Sequence, residues 1–380
     1  MRGERRVDDT ALRTGFTTGS AAAAGAKAAL LGLLGQADGI DKVEIPLPEE
    51  GRITIPIDEV MIFKNRARAV VIKDAGDDPD VTDGARIVSV VSLAPVSGAS
   101  EVIIKGGHGV GKVTRPGLPI KVGEPAINPG PRKQIVRAVK EVLQEAGRNY
   151  RVIITIEVPE GEEIAKKTLN PRLGIVGGIS ILGTRGTVIP YSNEAFQATI
   201  SLALDVAVAS GSKIICLSTG RKSGKYLRMC YPALPLISEE IFVEVGDFFA
   251  FSLKEVRARK FEQVFYGCFF GKLIKMAQGF ESTHAKYGKI DFDLLARWIK
   301  EQGVSKAKAE LARRANTARQ VLEIILEDPA GPGVLSCITR KAIASARRFL
   351  GPGPKLIFHL FDMDGRLLVK EGEERMKEEG

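Results

Sequence analysis

Histidine and cysteine are scarce in this chain: 380 residues hold only three histidines, His108, His284 and His359, and four cysteines. Cys216, Cys230, Cys268 and Cys337 lie far apart, with no CxxC pair and no cysteine–histidine spacing that would hold zinc. They read as reduced, buried thiols, and no metal site is assigned to the protein itself. Aromatic residues make up only 6% of the chain. Without a zinc-finger, RNA-recognition or basic-zipper signature, that scarcity speaks against a nucleic-acid partner. Long apolar runs are missing too, since Lys27 and Asp205 interrupt the two best stretches before the roughly 18 residues a membrane span needs. The opening "MRGERRVDDTALRTGF" has charge but no apolar core behind it, so no signal peptide is expected and the protein is placed in the cytoplasm.

Glycine and positive charge are plentiful. There are 41 glycines, and 55 Lys plus Arg against 46 Asp plus Glu give a formal charge of +9. The basic residues are scattered, a field that favours an anionic partner, and a small polyanion fits it as well as a polymer does. With 44% apolar and 27% charged residues the composition is globular, and the length suits two domains, each with its own core.

Residues 1–185 are predicted to form an α+β domain with a mostly antiparallel sheet. An alanine-rich helix is followed by short strands in "KVEIPLPEEGRITIPIDEVMIF", "RARAVVIKD", "ARIVSVVSL" and "EVIIKGG". "PRKQIVRAVKEVLQEAG" reads as an amphipathic helix between Pro131 and Gly147, and "RVIITIEV" returns to strand. The pattern changes near Pro190. Over 186–380, helices and strands alternate through "KIICLS", "EEIFVEVG" and "FEQVFYG", which predicts an α/β domain with a mostly parallel sheet. Helices over 291–302, 305–327 and 334–349 follow, and "PKLIFHLFDMDGRLLVK" closes the domain as two strands around a "DG" turn. The charged "EGEERMKEEG" reads as a frayed tail.

Several stretches have the residue types that chemistry needs. In "GFTTGSAAAAGAKAAL", residues 15–30, Ser20 is a suitable N-cap and no acidic side chain occupies the first turn. Such a start leaves N–H groups and the positive dipole end for an anion; alternatively, the alanines and Gly25 simply allow close packing. "NPRLGIVGGISILGTRG" sets Gly174, Gly177, Gly178, Gly183 and Gly186 between a strand and a helix, either as tight turns or as a backbone lining for a ligand. Gly178 and Gly183 have Walker spacing, but Thr184 and Arg185 stand where Lys and Ser/Thr are required, and "GRKSGK" at 220–225 is one residue short. Those departures disfavour an ATP-dependent phosphotransferase, the main rival enzyme.

Gly220 to Lys225, Asp247 and Gly267 to Lys272 each follow a predicted strand of the second domain, where open parallel sheets bind their ligands. The run "KDAGDDPDVTDG" fails the calcium-loop spacing and reads as a solvated loop. His284, in "ESTHAKYG", is the candidate acid, base or hydrogen-bond donor, and the sequence assigns it no partner.

The stretches "LRTGFTTGSAAAAGAKAALLGLL", "VIKDAGDDPDVTDG", "KGGHGVGKVTRPGLPIKVGEPAINPGPR", "IAKKTLNPRLGIVGGISILGTRG" and "GKLIKMAQGFESTHA" together closely resemble the CbiD family. These are the cobalt-precorrin-5B C1-methyltransferases of anaerobic cobalamin biosynthesis. The resemblance implies a two-domain methyltransferase that uses S-adenosylmethionine as donor and a tetrapyrrole as acceptor, with cobalt present only as part of that substrate. The polycarboxylate macrocycle suits a basic protein and tilts the opening loop towards anion contact.

Substrate contacts are therefore expected at Thr17, Thr18, Gly19, Ser20, Arg172, Gly177, Gly178, Gly183 and Thr184, with the tetrapyrrole between the domains. Donor contacts are expected at Gly220, Gly224, Asp247, Gly271 and Lys272. Methyl transfer to carbon depends chiefly on positioning, so few catalytic side chains are required. Ala21 and Ala285 stand where relatives often have Cys and Ser, so neither group is indispensable here. A corrinoid carrier without activity is the remaining alternative; it would bind the macrocycle without consuming the donor.

Overall fold

The computed structural model describes residues 12–35, 39–234 and 239–372. The charged N-terminal stretch and the final "EERMKEEG" lie outside them. The chain divides into two compact units, Met1–Ser192 and Asn193–Gly380.

The first unit runs β1 (Gly15–Phe16), α1 (Thr18–Leu33), β2 (Lys42–Pro46), β3 (Arg52–Pro56), β4 (Glu59–Ile62), β5 (Arg66–Ile72), β6 (Arg86–Pro95) and β7 (Glu101–Gly106). It continues with β8 (Gly109–Val110), β9 (Lys112–Val113), α2 (Pro129–Glu145), β10 (Tyr150–Glu157), α3 (Gly161–Ala165), β11 (Ile175–Val176), β12 (Gly178–Ile179) and β13 (Thr187–Val188). Five strands form a sheet in the order β4-β5-β6-β10-β7. All of its pairings are antiparallel except β10 with β7. Alternation along β10 buries Val152, Ile154 and Ile156 towards α1 and α2, which share that core.

Small residues let α1 lie almost on the strands. Ala21 to Ala24 are fully buried, and a Cβ on Gly25 would come within 2.8 Å of Ser89 Oγ. That hydroxyl donates to Ala22 O at 3.0 Å. The α2 helix begins at Pro129 and ends before Gly147, whose φ of +63° is the left-handed conformation glycine supplies most readily.

The second unit runs α4 (Asn193–Ala209), β14 (Ile214–Ser218), α5 (Arg221–Cys230), β15 (Phe242–Glu244), α6 (Phe249–Ala258), β16 (Gln263–Phe269) and α7 (Phe270–Ala277). It ends with α8 (Phe292–Glu301), α9 (Lys306–Arg313), α10 (Ala318–Leu326), α11 (Gly331–Leu350), β17 (Lys355–Phe361) and β18 (Leu367–Gly372). The sheet order is β15-β14-β16-β17-β18, parallel except for the last pair. From β14 the chain moves outwards to β15, then crosses back to β16 on the other side. This reversal makes a topological switch point at the carboxyl ends of β14 and β16.

Three expectations are corrected here. The single helix over 305–327 is two, because Thr317 Oγ1 accepts from Gln320 N at 3.2 Å and starts α10 afresh. The β16 strand runs on through Phe269, so Gly267 lies inside the strand, not beyond it. Only Cys216 and Cys268 are buried, with burial pushing each thiol up to about 12, while Cys230 and Cys337 are half-buried. Among the described residues no helix is long and apolar enough to cross a membrane.

Candidate functional site

In the first unit, loops far apart in sequence meet at the start of α1. Phe16 N donates to Asp74 O at 2.8 Å, Thr17 N to Gly186 O at 3.0 Å and Gly19 N to Leu182 O at 3.1 Å. A Cβ on Gly19 would lie 2.7 Å from the Pro131 ring, so the first turn of α2 presses on the same point. The opening loop, the aspartate loop, the "NPGPR" turn and the "ILGTRG" turn therefore pack against one another.

The sequence-predicted substrate residues divide within it. Thr17, not Ser20, is the N-cap: its Oγ1 accepts from Ser20 N at 3.2 Å. Ser20 is instead a fully buried brace, its hydroxyl donating to Gly186 O at 2.7 Å and accepting from Gln134 Nε2 at 3.0 Å. Thr18 Oγ1 binds both Leu182 N (3.0 Å) and Leu182 O (3.2 Å). The N–H groups of Thr17 and Gly19 and the hydroxyls of Thr18 and Ser20 are thus taken by the protein, because residue 182 or 186 reaches each of them.

Gly178 is also structural. It pairs with Gly109, and a Cβ there would sit 2.1 Å from Gly109 O, so the glycines let two backbones touch. Gly183 has φ +145° and lies over Thr17, within 2.3 Å of its Oγ1 for an added Cβ. Gly177, by contrast, is exposed with φ +81° and nothing within 4 Å of such a Cβ. Thr184 is exposed and Arg172 half-buried on the same connection.

The aspartate run faces solvent, with Asp77 and Asp83 exposed, but it is also tied by hydrogen bonds. Asp74, Asp77, Asp80 and Asp83 accept from backbone N–H groups of Gly76, Arg13, Thr82 and Ala75, and Asp78 accepts from Tyr191 N at 2.8 Å. Asp80 also pairs with the buried Lys73 ammonium at 2.9 Å. Those bonds outweigh burial and hold the Asp80 carboxyl below its usual range.

In the second unit the strand ends bring together Gly220, Asp247, Lys272, Thr283 and His284. Lys272 Nζ reaches Thr219 O at 2.9 Å, Gly246 O at 3.2 Å and Asp247 Oδ1 at 3.1 Å, tying the ends of β14 and β15 to the helix that follows β16. Thr283 Oγ1 donates to the same Asp247 oxygen at 2.6 Å. Burial would raise the Asp247 carboxyl, but the Thr283 hydrogen bond and the Lys272 ammonium outweigh it and hold it below the ordinary range. Gly220, two residues past β14 and just before α5, has extended backbone with open space where a side chain would project. No side chain caps α5 and no acidic residue lies in its first turn.

Gly224 and Gly271 do not face this opening. A Cβ on Gly224 would lie 2.8 Å from Ser218 Oγ, so this glycine seats α5 on β14, and Gly271 faces Ala318 of α10. His284 is exposed; its Nδ1 accepts from Lys286 N at 3.1 Å, which leaves Nε2 as the protonated nitrogen when the ring is neutral. A cavity of about 340 Å³ beside Arg257, Phe261, Leu350 and Pro352 lies at the opposite, amino ends of the strands, away from the ligand-binding edge of a parallel sheet.

Sequence reasoning missed three contributors. Thr283 orients Asp247, and the buried Asn170 ties the glycine loop by donating to Gly178 O at 3.2 Å and accepting from Ser180 Oγ at 3.1 Å. Phe196 stacks on Phe248 at 5.4 Å beside Gly246. Only Thr283 left a sequence signal, its place beside His284.

The CbiD family model matches residues 5–190, and the model of the CbiD C-terminal domain matches residues 282–372. A protein of Nitratidesulfovibrio vulgaris named cobalt-precorrin-5B C(1)-methyltransferase is 50% identical over 371 residues, 96% of this chain and 94% of its own. One of the same name from Geobacillus sp. (strain WCH70) is 45% identical over 94% of this chain and 96% of its own. A crystal structure of the cobalamin biosynthesis protein cbiD from Archaeoglobus fulgidus is 31% identical, covering 70% of this chain and 79% of its own, with a TM-score of 0.38. With matches that reach from the first unit to the closing strands, this chain belongs to the CbiD family.

Proposed function

We propose that this protein is a cobalt-precorrin-5B C1-methyltransferase of cobalamin biosynthesis. The observation that carries the reading is the 50% identity, over almost the full length of both chains, to a relative of that name. The donor is S-adenosylmethionine, which supplies an electrophilic methyl group, and the acceptor is a tetrapyrrole whose ring holds the cobalt.

The second unit has the fit for the donor. The open backbone at Gly220, the uncapped start of α5 with Arg221 and Lys222, and the ionised Asp247 stand at the switch point of the sheet. Gly220 leaves room and α5 offers N–H groups to a carboxylate. Asp247 offers an acceptor, and Lys272 keeps these strand ends together. In the first unit, Arg172, Gly177 and Thr184 are the outward-facing candidates for the macrocycle's carboxylates, and the closed loop from Thr17 to Ser20 fixes the turn that presents Thr184. His284, beside Thr283, is the candidate for moving a proton or orienting the acceptor. Methyl transfer needs alignment more than a covalent enzyme group, so most of the acceleration is assigned to positioning. Incubation with methyl-labelled donor and cobalt-precorrin-5B, followed by mass spectrometry of the macrocycle, tests the reading.

A further inference from the structure

We infer that Asp247 and Phe196 read the nucleoside of the donor, with Oδ2 of Asp247 accepting from a ribose hydroxyl and the outer face of Phe196 carrying the base. This rests on the donor reading above. It adds to it the chemical groups recognised and an aromatic platform.

Asp247 is asymmetric. Its Oδ1 takes the Thr283 hydroxyl and the Lys272 ammonium, while Oδ2 has no hydrogen-bond partner among the described residues. The side chain is 30% exposed, and the two bonds on the first oxygen fix its orientation. An acceptor held ionised in this way suits hydroxyl donors and repels phosphate, which selects a nucleoside over a nucleotide at this position.

The aromatic platform is next to it. Gly246, with φ +58°, precedes Asp247, and a Cβ there would lie 3.4 Å from the Phe196 ring. Phe248, on the other side of Asp247, backs Phe196 with centroids 5.4 Å apart and planes at 26°. Phe196 is nevertheless 38% exposed. A supported, partly exposed ring against Gly246, the residue before a carboxylate with an unpartnered oxygen, has the two groups that a planar base and a ribose require. Asp247 follows the carboxyl end of β15, the strand beside β14, where a doubly wound sheet places the acidic residue that reads a ribose, and Phe196 meets it from the first turn of α4.

The test uses the full chain and three ligands: S-adenosylhomocysteine and its 2′-deoxy and 3′-deoxy analogues, measured by calorimetry. The wild type is expected to bind the parent at least about tenfold more tightly than one of the deoxy analogues, since the loss leaves a charged acceptor unpaired. Asp247→Asn is expected to bring that preference within about twofold. Phe196→Ala is expected to weaken all three ligands by about tenfold while keeping their ratio. Because Phe196 is partly exposed, its variant remains informative if Asp247→Asn fails to unfold cooperatively. A wild type indifferent to both hydroxyls, an Asn variant that keeps the preference, or a Phe196→Ala variant of unchanged affinity overturns this proposal. If any of these occurs while the enzyme still methylates its macrocycle, the donor reading stands and only the nucleoside assignment falls. Absence of both homocysteine-product binding and methyl transfer removes the two together.

Discussion

The ammonium of Lys272 lies 3.1 Å from Oδ1 of Asp247 and spends its other hydrogens on the main-chain oxygens of Thr219 and Gly246. Three donors meet three acceptors contributed by the ends of two strands, so this lysine is a structural tie before it is anything else. Replacing it with methionine leaves two backbone carbonyls and a carboxylate short of a partner. Lys272→Met is expected to lower stability by about 1–3 kcal/mol, measured as the urea midpoint, and to weaken donor binding together with it. Unchanged stability would show that water replaces the ammonium without loss.

Gly220 gives the converse case. Its backbone is extended, a conformation any residue adopts, and nothing lies within 4 Å of an added Cβ. Gly220→Val is therefore expected to change stability by no more than about 0.5 kcal/mol. A branched side chain there would fill the space assigned to the donor, so affinity for S-adenosylhomocysteine is expected to fall at least about tenfold. Equal affinities for wild type and variant would move the donor site elsewhere.

Ser20 distinguishes a loop that binds from a loop that braces. Ser20→Ala removes one of two buried partners from each of Gly186 O, which keeps Thr17 N, and Gln134 Nε2, which keeps Pro46 O. A loss of about 0.5–1.5 kcal/mol in thermal or urea unfolding is expected, with KM for the macrocycle unchanged at temperatures where the variant is folded. A higher KM with unaltered stability would restore the direct anion contact for Ser20.

Why the cap was misread and the helix was not is a matter of range. The boundaries of α2 rest on Pro129, Pro131 and Gly147, local residues whose backbone preferences act wherever they stand. The alternation in β10 and the helix–strand rhythm of the second unit are equally local. In "TTGS", however, three hydroxyls compete for one cap, and the choice falls to Thr17 because Leu182 occupies Thr18 and Gly186 occupies Ser20. Those partners are 164 and 166 residues away. The same holds for Gly178, whose need for glycine is set by Gly109, and for Phe196, which is an ordinary helical aromatic until Gly246 comes beneath it. The five aspartates, by contrast, had a local signal in their Pro and Gly neighbours. The bonds of Asp74, Asp80 and Asp83 to nearby amides are turn chemistry that such a signal covers, whereas Asp77 and Asp78 reach Arg13 N and Tyr191 N, 64 and 113 residues away.

His359 makes stability depend on pH. It is fully buried in β17, with Tyr231 Oη 2.8 Å from Nε2 and no partner for Nδ1 among the described residues. Burial and the Lys370 ammonium lower its pKa from 6.5 to about 4. Between those values the unfolded chain takes up a proton that the folded chain refuses, so stability falls as pH drops from about 6.5 towards 4 and levels off below. The whole effect is at most about 3 kcal/mol. Urea midpoints at pH 7.5 and 4.5 are expected to separate less for His359→Gln than for wild type; equal separations would assign the acid sensitivity to other groups.

The central claim is methylation at C1 of the cobalt-containing macrocycle. Its most direct measurement is a reaction of cobalt-precorrin-5B with S-adenosylmethionine bearing a 13C methyl group, read by mass spectrometry and by NMR of the isolated product. The account predicts one labelled methyl per macrocycle, bonded to C1. Label at another carbon, or no labelled product from enzyme that still unfolds cooperatively, would contradict it.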